Sequence, residues 1–246
     1  MAYELEIIGF DIASCSIAQT MGATRIELCA NPSEGGTTPS HGMIEQAKKS
    51  CSIPVFPIIR PRGGDFLYTK EEFEAMKTDI KTCLSLGCEG VVIGMLLPDG
   101  NVDIERTQEL VVAAGNMEVT FHRAFDRVSN PFIALENIIA TGCKRILTSG
   151  LYQTALEGKE MLKELVDKAA DRIKIMPGSG VRSNNVVQLA ASTGAKAFHS
   201  SARTSIMSNM LYSNPNMSEE LKHASLDADE VRLLKLELDQ YFMKRL

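Results

Sequence analysis

The sequence predicts a single-domain α/β protein with the TIM (β/α)8 barrel fold. Eight short β-branched segments alternate with amphipathic segments up to about residue 203. Their spacing is close to the roughly 30 residues that one βαβ unit needs. The amphipathic segments end in small-residue pairs such as Ala114-Gly115 and Thr193-Gly194, and glycine commonly closes a helix.

The predicted strands follow one another without a shift in composition. They cover residues 5–10, 25–29, 53–59, 90–94, 118–122, 145–148, 173–176 and 197–199. A doubly wound open sheet is the alternative fold. That fold usually has a glycine-rich phosphate turn after its first strand, whereas residues 10–14 read Phe-Asp-Ile-Ala-Ser. The pattern therefore favours the barrel.

The chain changes character after the last strand. Residues 204–226 are polar and rich in turn formers, which predicts a long loop or lid. Apolar residues then recur at helical spacing and predict a final helix over residues 227–245. Because no boundary signal precedes this segment, we expect one domain over residues 1–246.

Composition excludes several classes of protein. The 246 residues carry a net charge of −5, whereas a general nucleic-acid binder needs a basic surface. No apolar run approaches the roughly 20 residues of a membrane span, and the first residues, Met-Ala-Tyr-Glu-Leu-Glu, do not resemble a signal peptide. The six cysteines include no C-x-x-C pair, which favours reduced thiols. We expect a cytoplasmic protein with a small-molecule or metal ligand, no nucleic-acid or membrane partner, and a possible homo-oligomeric state.

Polar residues cluster where the predicted strands end, which is where TIM barrels carry their sites. Arg60 and Arg62 precede Gly63-Gly64, a pattern that suits an anion clamp. Glu27 and His122 are the candidate acid/base pair, with Asp126 as a third catalytic candidate. Arg123 adds a positive charge to the anion site. Further rim candidates are Glu6, Asp65 and His199, although Glu6 and Glu27 are also compatible with a structural role as core carboxylates that pair with arginines.

The loops after the last two strands carry a second anion signal. Gly178, Ser179 and Gly180 follow strand 7, and Ser200 and Ser201 follow strand 8. Barrel phosphate sites are commonly built from these two loops and a helix N-terminus. A tight turn that binds nothing is the alternative.

Long motifs in the chain resemble the CutC family. They are residues 25–29 (Arg-Ile-Glu-Leu-Cys), 34–40, 59–66, 119–126 (Val-Thr-Phe-His-Arg-Ala-Phe-Asp), 145–150 and 198–202. The resemblance implies a cytoplasmic TIM barrel linked to copper homeostasis, with Cu(I) bound by cysteines near the ends of the first two strands. Cys29 matches the second of these positions, but Ile8 stands at the first, and Ser200 replaces a cysteine that some relatives have near strand 8.

Two hypotheses of function follow from the sequence. A copper-binding or copper-trafficking protein requires a second soft ligand near Cys29, such as Met95, Met176 or a methionine of the lid (Met207, Met210 or Met217). An enzyme acting on a small anionic or phosphorylated metabolite requires Arg60 and Arg62 as the clamp and Glu27 with His122 as the acid/base pair.

Overall fold

The computed structural model describes residues 3–218 and 220–244 and confirms the predicted barrel order. Parallel strands alternate with helices from the first strand to the eighth. The strands are β1 (Glu4–Gly9), β2 (Arg25–Leu28), β3 (Val55–Pro57), β4 (Gly90–Ile93), β5 (Glu118–Phe121), β6 (Arg145–Thr148), β7 (Lys174–Pro177) and β8 (Ala197–Ser200).

A helix follows each of the first seven strands, and one more closes the chain. They are α1 (Ile12–Thr20), α2 (His41–Ser50), α3 (Lys70–Ser85), α4 (Ile104–Ala114), α5 (Pro131–Thr141), α6 (Lys159–Ala169), α7 (Val186–Thr193) and α8 (Ala228–Met243). Short 3-10 turns cover Pro32–Glu34 and Arg123–Arg127. The end of the predicted final helix, residue 245, lies outside the described residues. Within the described ranges no helix is long and apolar enough to cross a membrane.

The strands form two four-stranded parallel sheets. Their orders are β3-β2-β1-β8 and β4-β5-β6-β7. A parallel bridge between Ile58 and Val92 joins the sheets after β3, and β7 contacts β8 on the other side. The sheets therefore meet along both edges, as a barrel requires.

The loop predicted over residues 204–226 contains regular structure. Strands β9 (Arg203–Met207) and β10 (Lys222–Leu226) pair as an antiparallel ribbon. The predicted long loop therefore contains a paired ribbon, which the sequence did not predict because its serines and methionines give little strand signal. The connection between the strands contains residue 219, which is not described.

Alternation along the strands separates the helix-facing core from the barrel interior. Ile26 and Leu28 of β2 are fully buried in the main hydrophobic core. Arg25 and Glu27 alternate with them, as a pleated strand requires, and Arg25 contacts Glu6 of β1 inside the barrel. The interior is therefore polar where the outer core is apolar.

Ion pairs fill the amino-terminal end of the barrel. Arg145 is 2% exposed and contacts Glu4 at 2.5 Å and Glu118 at 3.3 Å. Arg25 contacts Glu6 through Nε at 2.6 Å and lies 3.3 Å over the Phe56 ring. We call Glu4, Arg25, Glu118 and Arg145 the ion-pair layer; it closes the barrel below the site.

Candidate functional site

A cavity of about 500 Å³ opens at the carboxyl ends of the strands. The residues after β2, β3, β5, β7 and β8 supply most of its wall, as the barrel topology predicts. The wall includes Ile8, Phe10, Glu27, Cys29, Arg60, Phe66, His122, Arg123, Asp126, Leu147, Ser179, Gly180, His199, Ser200, Ser201 and Arg203.

Arg60 is a buried cation on this wall. It is 5% exposed, and its guanidinium donates to the carbonyl oxygens of Glu34 at 2.6 Å, Gly36 at 2.9 Å and Gly64 at 2.9 Å. Phe66 packs beside it, with 5.1 Å between Cζ and the ring centroid. Among the described residues no carboxylate forms an ion pair with Arg60, so the hydrogen bonds of its guanidinium go to carbonyl oxygens.

Arg62 and Asp65 lie outside the cavity wall. Arg62 donates to Glu72 at 2.7 Å, to Asp65 at 2.8 Å and to the Leu67 carbonyl at 2.7 Å. These bonds tie the turn to the first residues of α3. The two arginines are two residues apart, but they follow the end of β3 at Pro57, so strand alternation no longer places them on one side. The structure does not bring Arg62 together with Arg60.

His122 presents a neutral imidazole to the cavity. Its Nδ1 accepts a hydrogen bond from the Ala124 N–H at 3.1 Å, which leaves the ring proton on Nε2. Burial and the charge of Arg60 lower the pKa of His122 to about 3, so the ring stays uncharged near neutral pH. Nε2 is buried and has no hydrogen-bond partner among the described residues. Gly94 makes room for the ring, because a Cβ there would lie 2.3 Å from Nδ1.

Glu6, Glu27 and His199 cluster at the cavity floor, where Glu6 is hydrogen-bonded to His199 and Glu27 lies within ion-pair distance of the same ring. His199 Nδ1 lies 2.7 Å from Glu6 and 3.3 Å from Glu27. Glu6 lies beneath the wall and is fully buried. Arg25 of the ion-pair layer also contacts the cluster, through Glu6. Sequence reasoning missed Arg25, although it lies two residues before Glu27 in β2 and therefore on the same side of the strand.

The two carboxyl groups of this cluster have opposite pKa shifts. Burial opposes ionisation of Glu6, but the charge of Arg25 and the bond to His199 outweigh it and lower the pKa to about 2. Burial raises the pKa of Glu27 to about 7, and the neighbouring Glu6 charge adds to the effect. Burial alone would lower the pKa of His199, but the bond to Glu6 and the charge of Glu27 raise it. Glu27 therefore exchanges its proton near neutral pH, which suits an acid/base group.

The Asp126 carboxylate holds its neighbours in place through several hydrogen bonds. Its carboxylate accepts hydrogen bonds from Thr148 Oγ1 at 2.5 Å, Arg123 Nε at 2.7 Å, and both the amide and the hydroxyl of Ser149 at 3.0 Å. Arg123 also donates to Ser149 Oγ at 3.1 Å. With its oxygens engaged in this way, Asp126 fixes Arg123 and the loop after β6. Sequence reasoning missed Thr148 and Ser149, although both lie in one of the long motifs.

The loops after β7 and β8 meet at the cavity. Ser179 and Gly180 both have positive φ, 75° and 70°, and no described acceptor takes their N–H groups. The Gly178 N–H donates to the Thr148 carbonyl at 3.0 Å, so Gly178 belongs to the strand junction. Ser200 Oγ donates to the Val181 carbonyl at 2.7 Å, and Ser201 lines the wall.

This second anion region differs from the expectation in two details. Helix α7 begins only at Val186, so no helix N-terminus follows the Gly178–Gly180 turn directly. Arg203, at the start of the ribbon, lines the wall instead and contacts the Pro32 carbonyl at 3.3 Å. Sequence reasoning assigned it to no site, because it lies beyond the last motif.

The residues at Cys29 do not fit a Cu(I) site. Cys29 packs against Phe56, Ile58, Val92, Ile8 and Phe10, and burial together with the Glu27 charge raises the pKa of its thiol. Cu(I) prefers thiolate and thioether ligands. The methionines named as second ligands lie elsewhere: Met95 and Met176 are in separate core clusters, and Met207, Met210 and Met217 are exposed.

The cluster at the floor is also a poor copper site. The donor atoms of Glu6, Glu27 and His199 lie within 4.8 Å of one another. They are hard oxygen and imidazole donors, and the Glu6 oxygens are already bonded to Arg25 and His199. The cluster therefore has the character of a buried ion-pair network.

Known proteins match this chain over nearly its whole length. The CutC family model matches residues 3–204. A family protein CutC from Chromobacterium violaceum is 47% identical over 96% of this chain and 98% of its own length. A copper homeostasis protein cutC homolog from Mus musculus is 44% identical over 94% and 87%. The solved structure of a CutC protein from Streptococcus agalactiae superposes with a TM-score of 0.77 at 32% identity, over 80% of this chain and 97% of the other. The chain therefore belongs to the CutC family.

Proposed function

We propose that this protein is an enzyme that binds a small anionic or phosphorylated metabolite in the barrel cavity and transfers a proton on it. Arg60 carries the proposal. A buried charge without an ion-pair partner costs several kcal/mol, and the carbonyl oxygens around Arg60 offset only part of that cost. An anion in the cavity supplies the missing charge, and the free N–H groups of Ser179 and Gly180 suit the same ligand.

Glu27 is the acid/base group of this proposal. Its carboxyl group lines the cavity, and its pKa of about 7 lets it both accept and release a proton under physiological conditions. His199 Nδ1 lies 3.3 Å from the Glu27 carboxyl group, so a protonated ring stabilises the ionised form of Glu27. His122 differs from its expected role as the partner that exchanges protons, because a neutral ring with a pKa of about 3 donates a hydrogen bond and does not act as a base.

Copper handling is the alternative that the relatives' name suggests. The donor set described above offers Cu(I) one buried, protonated thiol, so the proposal derives no step from copper. The six cysteines are free and buried, which suits a reducing compartment, and a cytoplasmic location remains our expectation. A homo-oligomeric state also remains a prediction.

Phosphate binding tests the proposal directly. The melting temperature is measured with sodium phosphate and with sodium chloride at matched ionic strength. At ten times its dissociation constant, phosphate stabilises by about 1.4 kcal/mol, which is about 3–5 °C for a chain of this length.

A matched pair of arginine variants supplies the control. Arg60→Met should lose most of the phosphate shift, and Arg62→Met should keep it, because Arg62 is paired outside the cavity. Both variants lose one positive charge. Equal shifts in the two variants would mean that phosphate acts through general salt effects, and the proposed anion site would be rejected.

A further inference from the structure

The Nε2–H group of His122 is a hydrogen-bond donor without an acceptor among the described residues. Its Nδ1 is committed to the Ala124 N–H, the ring packs 5.1 Å from Phe66 between centroids, and Gly94 leaves the space that the ring occupies. The side chain is 4% exposed, yet Nε2 has no partner among the described residues. A buried polar atom without a partner destabilises the native state, so the arrangement points to an acceptor that arrives with a ligand.

The chemistry of a neutral imidazole selects that acceptor. A group that is already a full anion gains more from Arg60, which stands on the same wall and carries a permanent charge. A neutral N–H donor is suited to an oxygen that becomes negative during a reaction, because it stabilises the charge without surrendering its proton. Two different donors on one wall therefore match a ligand with two different oxygens, one anionic and one carbonyl.

We propose that the substrate is a carbonyl compound with an anionic group and a hydrogen on the carbon next to the carbonyl, and that the reaction begins with enolisation. This inference rests on the proposed function. The Glu27 carboxylate takes the proton from that carbon, and the C–H electron pair forms the carbon–carbon double bond. The π pair of the carbonyl moves to its oxygen, where His122 Nε2–H stabilises the enolate. Glu27 holds the abstracted proton while the enolate forms, so this first step balances without an oxidant or a second substrate.

The apolar part of the wall supports this chemistry. Ile8, Phe10 and Leu147 line the cavity beside the polar groups. Excluding water from an enolate protects it from uncontrolled protonation and strengthens the hydrogen bond from His122. Asp126 holds Arg123 and the loop after β6 through the bonds described above, which makes it a positioning residue for the same wall.

Two phosphate compounds of similar size test the proposal. Phosphoglycolohydroxamate has the planar oxygens of an enediolate, and glycerol 3-phosphate has the phosphate without them. Their affinities are measured by isothermal titration calorimetry at millimolar concentrations. We expect the hydroxamate to bind about tenfold or more tightly, a difference of about 1.4 kcal/mol. His122→Leu should bind the two compounds equally, and Arg60→Met should weaken both.

A spectroscopic measurement on the wild-type protein covers the case in which His122→Leu fails to fold. In ¹⁵N-labelled protein, the His122 Nε2–H signal should move strongly downfield with the hydroxamate and little with glycerol 3-phosphate. Equal affinities and no selective movement of this signal would overturn the enolisation step and leave the anion site standing. Failure of both compounds to bind would overturn the proposed function as well.

Discussion

The two ends of the barrel interior differ in how their buried polar and charged groups are paired. At the amino-terminal end, Arg145 contacts Glu4 and Glu118, and Lys174 adds a further ion pair to Glu4. At the carboxyl end, Arg60 has only carbonyl partners, His122 Nε2 has none, and the pKa of Glu27 is raised to about 7. Both ends are rich in buried polar groups, so burial alone does not distinguish them.

The difference separates a structural use of charge from a binding use. Folding favours interiors in which every buried charge finds a partner, because an unpaired one destabilises the native state. The ion-pair layer satisfies that requirement. The cavity wall violates it at Arg60 and His122, and such local violations are expected where a ligand completes the structure.

Breaking the paired end should give the largest effect on stability. Arg25→Met leaves the fully buried Glu6 without its 2.6 Å partner, and we expect a loss of about 3–5 kcal/mol in the free energy of unfolding. Urea denaturation measures the loss. Arg60→Met is the matched control: it leaves no buried carboxylate behind, so its loss should be clearly smaller. Equal losses would show that the two ends use charge in the same way.

The pH dependence of stability sharpens the comparison at Glu27. Its pKa rises from 4.5 to about 7 on folding, so the unfolded chain releases this proton first as the pH increases. The carboxyl group therefore removes stability between pH 4.5 and about 7, by about 3 kcal/mol. His199 acts in the same direction at higher pH, since its raised pKa gives stability that is lost as the pH rises through it.

Glu27→Gln should flatten this profile. The variant cannot ionise, so the decline between pH 4.5 and 7 should shrink, whereas Glu6 keeps its own effect. The pKa of Glu6 is lowered to about 2, and its contribution is lost only as the pH falls from 4.5 towards that value. Urea denaturation at a series of pH values measures the profile, and an unchanged decline in Glu27→Gln would place the titrating group elsewhere.

The sequence predicted what depends on local period and topology. Alternation in β2 placed Glu27 and Cys29 on one side of the strand, and parallel topology placed Glu27, His122 and His199 at one end of the barrel. It could not predict the pairing of Glu6 with His199, which are 193 residues apart in the chain. That contact depends on barrel closure between β1 and β8, which no local pattern encodes.

Prediction from sequence was weakest beyond the ends of the strands. The pairing of Arg60 with Arg62 assumed that alternation continues past Pro57, but a turn follows there and Arg62 bonds to α3 instead. The ribbon of β9 and β10 was missed because long-range pairing determines it. The positioning role of Asp126 was also missed. It depends on hydrogen bonds from Thr148 and Ser149, which belong to the next strand and its loop and cannot be inferred from the residues around Asp126.

Addition of Cu(I) is the third perturbation, after the substitutions Arg25→Met and Glu27→Gln, and it should have the smallest effect of the three. Cys29 is the cysteine at the position where the CutC resemblance places Cu(I), and Ile8 removes the thiolate expected beside it. Its thiol is protonated and packed among apolar side chains, so binding of Cu(I) there must first remove the proton and then proceeds without a second soft ligand. We expect weak binding in competition with a Cu(I) chelator under anaerobic conditions, and Cys29→Ser should change the measured affinity by less than about threefold because the thiol lacks a second soft ligand. Tight one-to-one binding that survives Cys29→Ser would locate a copper site elsewhere in the protein. Tight binding that is lost in Cys29→Ser would show that the apolar surroundings rearrange to admit the ion, and the carboxyl end of the barrel would then serve copper as its relatives' name says.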